Sequence, residues 1–234
     1  MFWGWFDPVY LLFLLPGILL ALWAQWRVRS AYSEASRIPA QSGYAGAEAA
    51  HLLLRSAHLL GVEIEPVQGY LSDHYSPGER VLRLSPEVYG GRSLAALGIA
   101  AHESGHAMQD AQNYPLLAAR NFLVPMASIG SNLSWIIIAV GFALHMMGLI
   151  YVGIAAFSLT VLFQLVNLPV EFDASRRARI ALVDSGMVTP DEDVMVKKVL
   201  DAAALTYVAA TLTSALTLLY FLFRAGLLGG RRSS

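Results

Sequence analysis

The 234-residue chain contains no cysteine. That absence excludes disulfides, thiolate ligands and a cysteine nucleophile, so any metal must be held by nitrogen and oxygen donors. Charge is scarce as well: Lys, Arg, Asp and Glu make up 14% of the residues against 56% hydrophobic, and the mean hydropathy is +0.52. This balance lies outside that of soluble globular domains and points to a membrane protein. A net charge of -1 and a pI near 6.6 leave no global field to attract nucleic acid, which is excluded as a partner. Internal repeats and low-complexity linkers are also missing.

What the chain does have is four apolar runs long enough to cross a bilayer, at about residues 8–26, 122–144, 148–166 and 203–223. Trp3, Trp5, Tyr10, Trp23 and Trp26 flank the first as interfacial anchors. No basic residue precedes this run, no small-residue cleavage site follows it, and Arg27 and Arg29 end it, so it reads as an anchor and not a signal peptide. The short His145-Met146-Met147 connection makes the second and third runs a hairpin, with Asn132 and Gln164 expected to hydrogen-bond between helices. The expected fold is mainly α and integral to the membrane, with about four transmembrane helices and a small α+β domain. Its parts are an anchor at 1–29, a polar α+β domain at 30–121, a transmembrane hairpin at 122–168, a polar segment at 169–202 and a C-terminal transmembrane helix and tail at 203–234.

Within the polar domain, residues 45–60 have helical patterning, while 62–84 alternate as two strands about the turn at Ser76-Pro77-Gly78. A strand so placed could pair with a substrate backbone or be a plain structural hairpin. Gly90-Gly91 and Ser93 then mark a helix start and Pro115 an end, and the helix between them carries His102-Glu103-Ser104-Gly105-His106. Two imidazoles four residues apart project from one helix face about a turn apart, where both can reach a single metal ion. Glu103 is placed to accept a proton from a water that the metal activates.

A catalytic zinc takes three protein ligands and keeps one position open. Position 112 is Gln, so a third His at the metzincin spacing is absent and a distal acid is required. The hairpin returns the chain to the side it left, and there it carries Glu171, a carboxylate at a membrane boundary that is costly unless paired or coordinated. Asp173 is the local competitor, but on a helix it points roughly opposite to Glu171 and suits a supporting role. Pro169 is expected to interrupt or kink the third span. Tyr207 could donate to a developing oxyanion or serve as an interfacial anchor, and His74 could bind substrate or cap the strand pair. Arg27, Arg29 and Arg37, together with Arg176, Arg177, Arg179, Lys197 and Lys198, place both polar regions in the cytoplasm.

The runs Asp73-His74-Tyr75, 82–89 (LRLSPEVY), 93–109 (SLAALGIAAHESGHAMQ), 163–175 (FQLVNLPVEFDAS) and 202–209 (AAALTYVA) together resemble the YugP-type membrane zinc metallopeptidases across nearly the whole chain. The resemblance implies a gluzincin-like peptidase, more distantly similar to the HtpX class, in which a distal Glu completes the site. In that wider class an Asp commonly follows the acid by four residues; here that position is Ser175. The expectation is a zinc-dependent endopeptidase in a bacterial cytoplasmic membrane. Zn2+ would be bound by His102, His106 and Glu171, with Glu103 and Tyr207 catalytic, the active site facing the cytoplasm and a protein or peptide substrate associated with the lipid bilayer. The alternatives are a transporter using His102, Glu103 and His106 as a proton or ion relay, and a metal-binding scaffold without proteolysis. The relay is disfavoured because the motif lies outside the four spans and no repeat is present.

Overall fold

A computed structural model describes residues 8–228, so Trp3 and Trp5 lie outside the described residues. The elements in order are α1 (Pro8–Ala35), α2 (Gly46–Ser56), β1 (Glu63–Pro66), β2 (His74–Ser76), β3 (Val81–Leu84), α3 (Pro86–Tyr89), α4 (Leu94–Ala111), α5 (Pro115–Ala143), α6 (Met147–Asp184) and α7 (Pro190–Arg224). The helices α1, α5, α6 and α7 are long and apolar enough to cross a membrane, and the protein is a mainly α membrane protein with one small sheet. All four of these helices extend beyond their apolar runs into the polar stretches that precede or follow them. α6 continues through Pro169, where the sequence suggested an interruption or kink. It ends at Asp184, and two residues on Gly186, with a positive φ of 70°, supplies the left-handed conformation that terminates a helix cheaply. Thr189 then caps α7 reciprocally: its N–H donates to Glu192 Oε2 at 2.9 Å and its hydroxyl accepts from the Glu192 N–H.

The chain forms two compact units. The first comprises described residues 8–23, 119–168 and 206–228. Small residues let its helices touch: a Cβ on Gly130 would stand 2.7 Å from the Ala156 carbonyl oxygen, and one on Gly153 would stand 2.4 Å from the Ile138 side chain. Tyr10, Trp135, Phe157, Tyr220 and Phe221 form an aromatic cluster, with the Tyr10–Tyr220 and Trp135–Phe221 centroids 4.7 and 5.0 Å apart. Large apolar side chains such as Leu12 and Phe122 remain exposed, as lipid-facing residues should. Asn132 does not bridge helices as expected; its amide donates to the Ser128 carbonyl one turn back, on an exposed face.

The second unit comprises Ala24–Ala118 and Pro169–Leu205. Its central element is α4. Ser93 caps the helix by accepting from the Ala96 N–H at 3.2 Å. Leu94, Leu97 and Ala101 of α4 pack into one core with Leu53, Leu182, Val196 and Leu200, while Ala100 and Ala107 pack into another with Leu54, Leu82, Leu84 and Val88. Each fully buried Leu contributes about 1.5–3 kcal/mol.

The sheet has the order β1-β3-β2, with β1 parallel and β2 antiparallel to β3. The chain therefore uses three strands where its alternation suggested two. The turn at Ser76-Pro77-Gly78 does join a hairpin, but its first arm is β2, and the strand at Glu63–Pro66 lies beyond β3 on the far side. Period-two alternation marks a strand without naming its partner, and the loop at 67–73, with positive φ at Gly69 and Leu71, swings the chain from one edge to the other. The result leaves β3 in the middle and β2 as an edge.

α4 and α6 approach each other through Gly105, where a Cβ would stand 2.6 Å from the Ala174 carbonyl oxygen. Ala at an open helix position gains about 1 kcal/mol over Gly, but here the added methyl must push α6 away. Gly105→Ala should therefore destabilise the protein by about 1–3 kcal/mol, the usual scale of overpacking. Gly148→Ala, which meets nothing within 4 Å, should be neutral or stabilising. Denaturant titration of the two variants in parallel checks this, and equal behaviour would contradict the close approach.

Candidate metal centre

The approach at Gly105 brings His102 and His106 of α4 against Glu171 of α6. The three residues offer donor atoms that all lie within 4.8 Å of one another. Glu171 Oε2 is 3.3 Å from His102 Nε2 and 3.6 Å from His106 Nε2. A tetrahedral zinc with ligands at about 2.0–2.2 Å spaces neighbouring donor atoms about 3.3–3.6 Å apart. Glu171 is 2% exposed, and its Oε2 is buried without a hydrogen-bond partner. An orphaned carboxylate oxygen facing two imidazole nitrogens is the arrangement a divalent cation satisfies. The donor set of two nitrogens and one oxygen, with no thiolate, fits zinc.

The proton on His106 can be assigned from its neighbour. Gln109 is completely buried, and its amide nitrogen donates to the Val170 carbonyl at 2.8 Å and to Asp173 Oδ2 at 3.0 Å. Both amide hydrogens are thereby used. The atom 3.0 Å from His106 Nδ1 is therefore the amide oxygen, which can only accept, so Nδ1 carries a hydrogen and Nε2 is the nitrogen left to face Glu171. His102 Nδ1 lies 3.1 Å from the Ser175 hydroxyl, which can donate or accept and so does not fix the tautomer. Burial lowers the His106 pKa, but Glu171 and the charge of Glu103 outweigh it and hold the group above its ordinary value. Those carboxylates favour positive charge at its free nitrogen, whether proton or metal.

Glu103 is turned toward the sheet. It is 9% exposed, and its Oε2 accepts the main-chain N–H of Tyr75 in β2 at 3.0 Å. The Tyr75 hydroxyl donates to Asp110 Oδ2 at 2.9 Å. Burial first, and then that hydrogen bond, push the phenol above its usual pKa, which keeps it a donor.

The structure brings His102, His106 and Glu171 together and sets Glu103 one residue along the same helix. Asp173 stands apart from the cluster: it accepts from Gln109 and pairs with Arg176 and Arg177, which therefore do not pair with Glu171. Tyr207 is half-buried in α7, within the first unit. His74 is exposed, with Nδ1 2.8 Å from the Ser72 carbonyl oxygen, a local contact at the strand entry. Gln109 and Tyr75 were not singled out from sequence. The signal for Gln109 was present in its spacing, three residues after His106 and on the same helix face. Tyr75 had no comparable local signal, because its contact with Glu103 is made by the main chain.

The family model described as "Putative neutral zinc metallopeptidase" matches residues 10–226. The chain is also 45% identical over 202 residues to the "Putative membrane protease YugP" of Bacillus subtilis (strain 168), covering 86% of this chain and 90% of that protein. No solved structure matches it.

Gln109→Leu keeps the side chain's volume close to that of Gln but removes the acceptor that orients His106. Zinc affinity should fall about 10–100-fold, the scale on which partners of metal-bound imidazoles act. Competition with a chromophoric chelator measures the change, and unaltered affinity would mean that Gln109 only fills space.

Proposed function

The chain belongs to the neutral zinc metallopeptidase family, and on that premise we propose that it is a membrane-embedded, zinc-dependent endopeptidase acting on membrane or membrane-associated proteins. The reading places it in a bacterial cytoplasmic membrane with the site on the cytoplasmic face, supported by the clustering of Arg and Lys in both polar regions and by the bacterial relative. The observation that carries it is the convergence of three possible metal ligands, the half-buried His102 and the buried His106 and Glu171, beside a helix-borne carboxylate.

In this reading His102, His106 and Glu171 hold zinc, which supplies Lewis acidity to polarise a carbonyl and acidify water. Glu103 accepts the proton of the attacking water and returns it to the leaving amine, so the C–N bond breaks without expelling an amide anion. Burial of the cluster lowers the local dielectric and strengthens each of these interactions. The outward edge of β2, held beside Glu103, offers main-chain groups to an extended peptide. Tyr207 is assigned as a donor to the developing oxyanion on its chemistry.

Glu103→Gln should retain stoichiometric zinc and the native fold while kcat/KM for a membrane-associated protein substrate falls about 10²–10⁴-fold, because only the proton acceptor is lost. Metal analysis together with turnover decides it; undiminished turnover removes Glu103 from the role. For Tyr207→Phe, loss of one oxyanion donor should lower kcat about 10²–10³-fold with little change in KM. An unchanged kcat would return Tyr207 to the role of an interfacial anchor.

A further inference from the structure

The last turns of α1 carry the chain out of its apolar run and into the second unit. Trp26 is exposed at the end of that run, where a Trp marks the membrane interface. Tyr32 lies about 9 Å further along the helix, at 1.5 Å per residue, which sets it level with the lipid headgroups. At that level a second part of the chain reaches α1: the ring of Tyr70, in the loop at 67–73, meets the Tyr32 ring edge-on with centroids 5.6 Å apart. Tyr70 and its neighbour Leu71 are both exposed, and Leu71 takes a positive φ of 53°. An aromatic and an apolar side chain offered side by side from a polar domain suit a lipid interface better than water.

Tyr32 and Tyr70 line a cavity of about 600 Å³, within the size range of ligand sites. Its other walls include Ser36 and Arg37, just past the end of α1, and Arg92 and Ser93, just before α4. Main-chain pairing fixes these two pieces against each other: the Ala40 N–H donates to the Arg92 carbonyl at 2.9 Å, and the Leu94 N–H donates to the Ile38 carbonyl at 3.0 Å. Two arginines are thereby brought to one cavity by the backbone, with no charge to draw them together. Arg92 commits Nη1 to the Gly43 carbonyl and to Glu48, the latter at 3.4 Å, which leaves Nη2 and Nε. The Arg37 side chain is exposed and has no hydrogen bond or ion pair among the described residues. The Ser93 hydroxyl accepts the Ala96 N–H and keeps its own hydrogen to donate.

We propose that this cavity binds the headgroup of an anionic phospholipid, with the phosphodiester oxygens accepting from Arg37, Arg92 and the Ser93 hydroxyl. The recognised chemistry is a phosphate ester, for which the planar guanidinium fork is the matching donor. The bilayer supplies that group at the height where the cavity lies, and basic pockets at the cytoplasmic ends of spans collect such headgroups. Glu87 lines the cavity as well. Its carboxylate repels an anion of higher charge and can accept from a hydroxyl, so the fit is to a singly charged phosphodiester bearing hydroxyls, as in a phosphoglycerol headgroup, and not to a phosphomonoester. An occupant touching both Tyr70 and Arg37 ties the loop at 67–73 to the end of α1, and that loop leads directly into β2.

The test is native mass spectrometry of the full-length protein, delipidated in detergent micelles, with dioctanoyl phosphatidylglycerol and dioctanoyl phosphatidylcholine as probes. Wild type should bind one phosphatidylglycerol about 10-fold more tightly than phosphatidylcholine, the scale of one charge-assisted hydrogen bond. Arg37→Ala removes a side chain with no partner to lose, and should erase that preference while leaving phosphatidylcholine binding unchanged. Arg37→Lys, which keeps the charge but not the fork, should fall between the two. Arg29→Ala deletes the same charge from α1 outside the cavity and should keep the preference. Equal losses in Arg29→Ala and Arg37→Ala would show diffuse surface charge and overturn the site, as would a wild type without preference. Displacement of the lipid by inorganic phosphate at equal concentration would overturn the lipid assignment in favour of a soluble phosphate. None of these readouts needs metal or turnover, so failure of the peptidase reading would leave them untouched.

Discussion

Placing Glu171, almost sealed from solvent, beside two imidazole nitrogens gathers three possible metal ligands in one place and leaves its buried Oε2 without a hydrogen-bond partner. An ionised carboxylate moved out of water costs several kcal/mol unless a positive partner meets it. The second unit maintains this arrangement through packing that has nothing to do with charge. Gly105 removes the one atom that would hold α4 and α6 apart, and the two cores on either side of α4 hold the helix in register. The metal preference is therefore a consequence of how closely two helix backbones are allowed to come.

Helical periodicity lets α4 serve several neighbours at once. His102, His106 and Gln109, at spacings of four and three, all make contacts to α6 residues. Glu103 and Asp110, seven apart, both bond to Tyr75 of β2. Ala100 and Ala107, also seven apart, face the core beneath the sheet, while Leu94, Leu97 and Ala101 face the other core. The candidate ligands, the proposed base and the structural anchors occupy different stripes of one element, so a shift of the helix would disturb all of them together. This is a physical reason for the heavy investment of small residues in α4: they bring several partners close to one cylinder.

Much of this was legible in the sequence because it depends on local rules. The four spans follow from apolar length, the start of α4 from the Ser93 cap, and the shared face of the histidines from spacing alone. Glu171 could be selected over Asp173 from the return of the hairpin and the opposite faces of residues two apart, and the structure does bring Glu171, not Asp173, to the histidines. What local rules do not carry is strand partnership. The parallel placement of β1 against β3 depends on the path of the loop at 67–73, and the contact that orients Glu103 belongs to a backbone amide that any residue except proline would supply. Continuation of α6 through Pro169 was hidden for a different reason: proline removes one N–H and crowds one turn, a local cost of about 3 kcal/mol that the packing around a 38-residue helix can offset.

The carboxylates of the site divide by what holds them. Asp173 is fixed between Arg176, Arg177 and the Gln109 amide, so its charge is matched and its geometry constrained. Glu171 is confined by burial against the imidazoles. Glu103 is held by a neutral main-chain N–H, a weaker restraint than a guanidinium. The partners behind the imidazoles are also neutral, an amide at His106 and a hydroxyl at His102, so they orient the rings without adding the negative charge of an aspartate. A divalent ion in this cluster would consequently be neutralised by Glu171 alone among its three donors. That would leave one net positive charge to act on a carbonyl and on water, and Glu103, held only by a neutral amide, is the carboxylate proposed to move the proton.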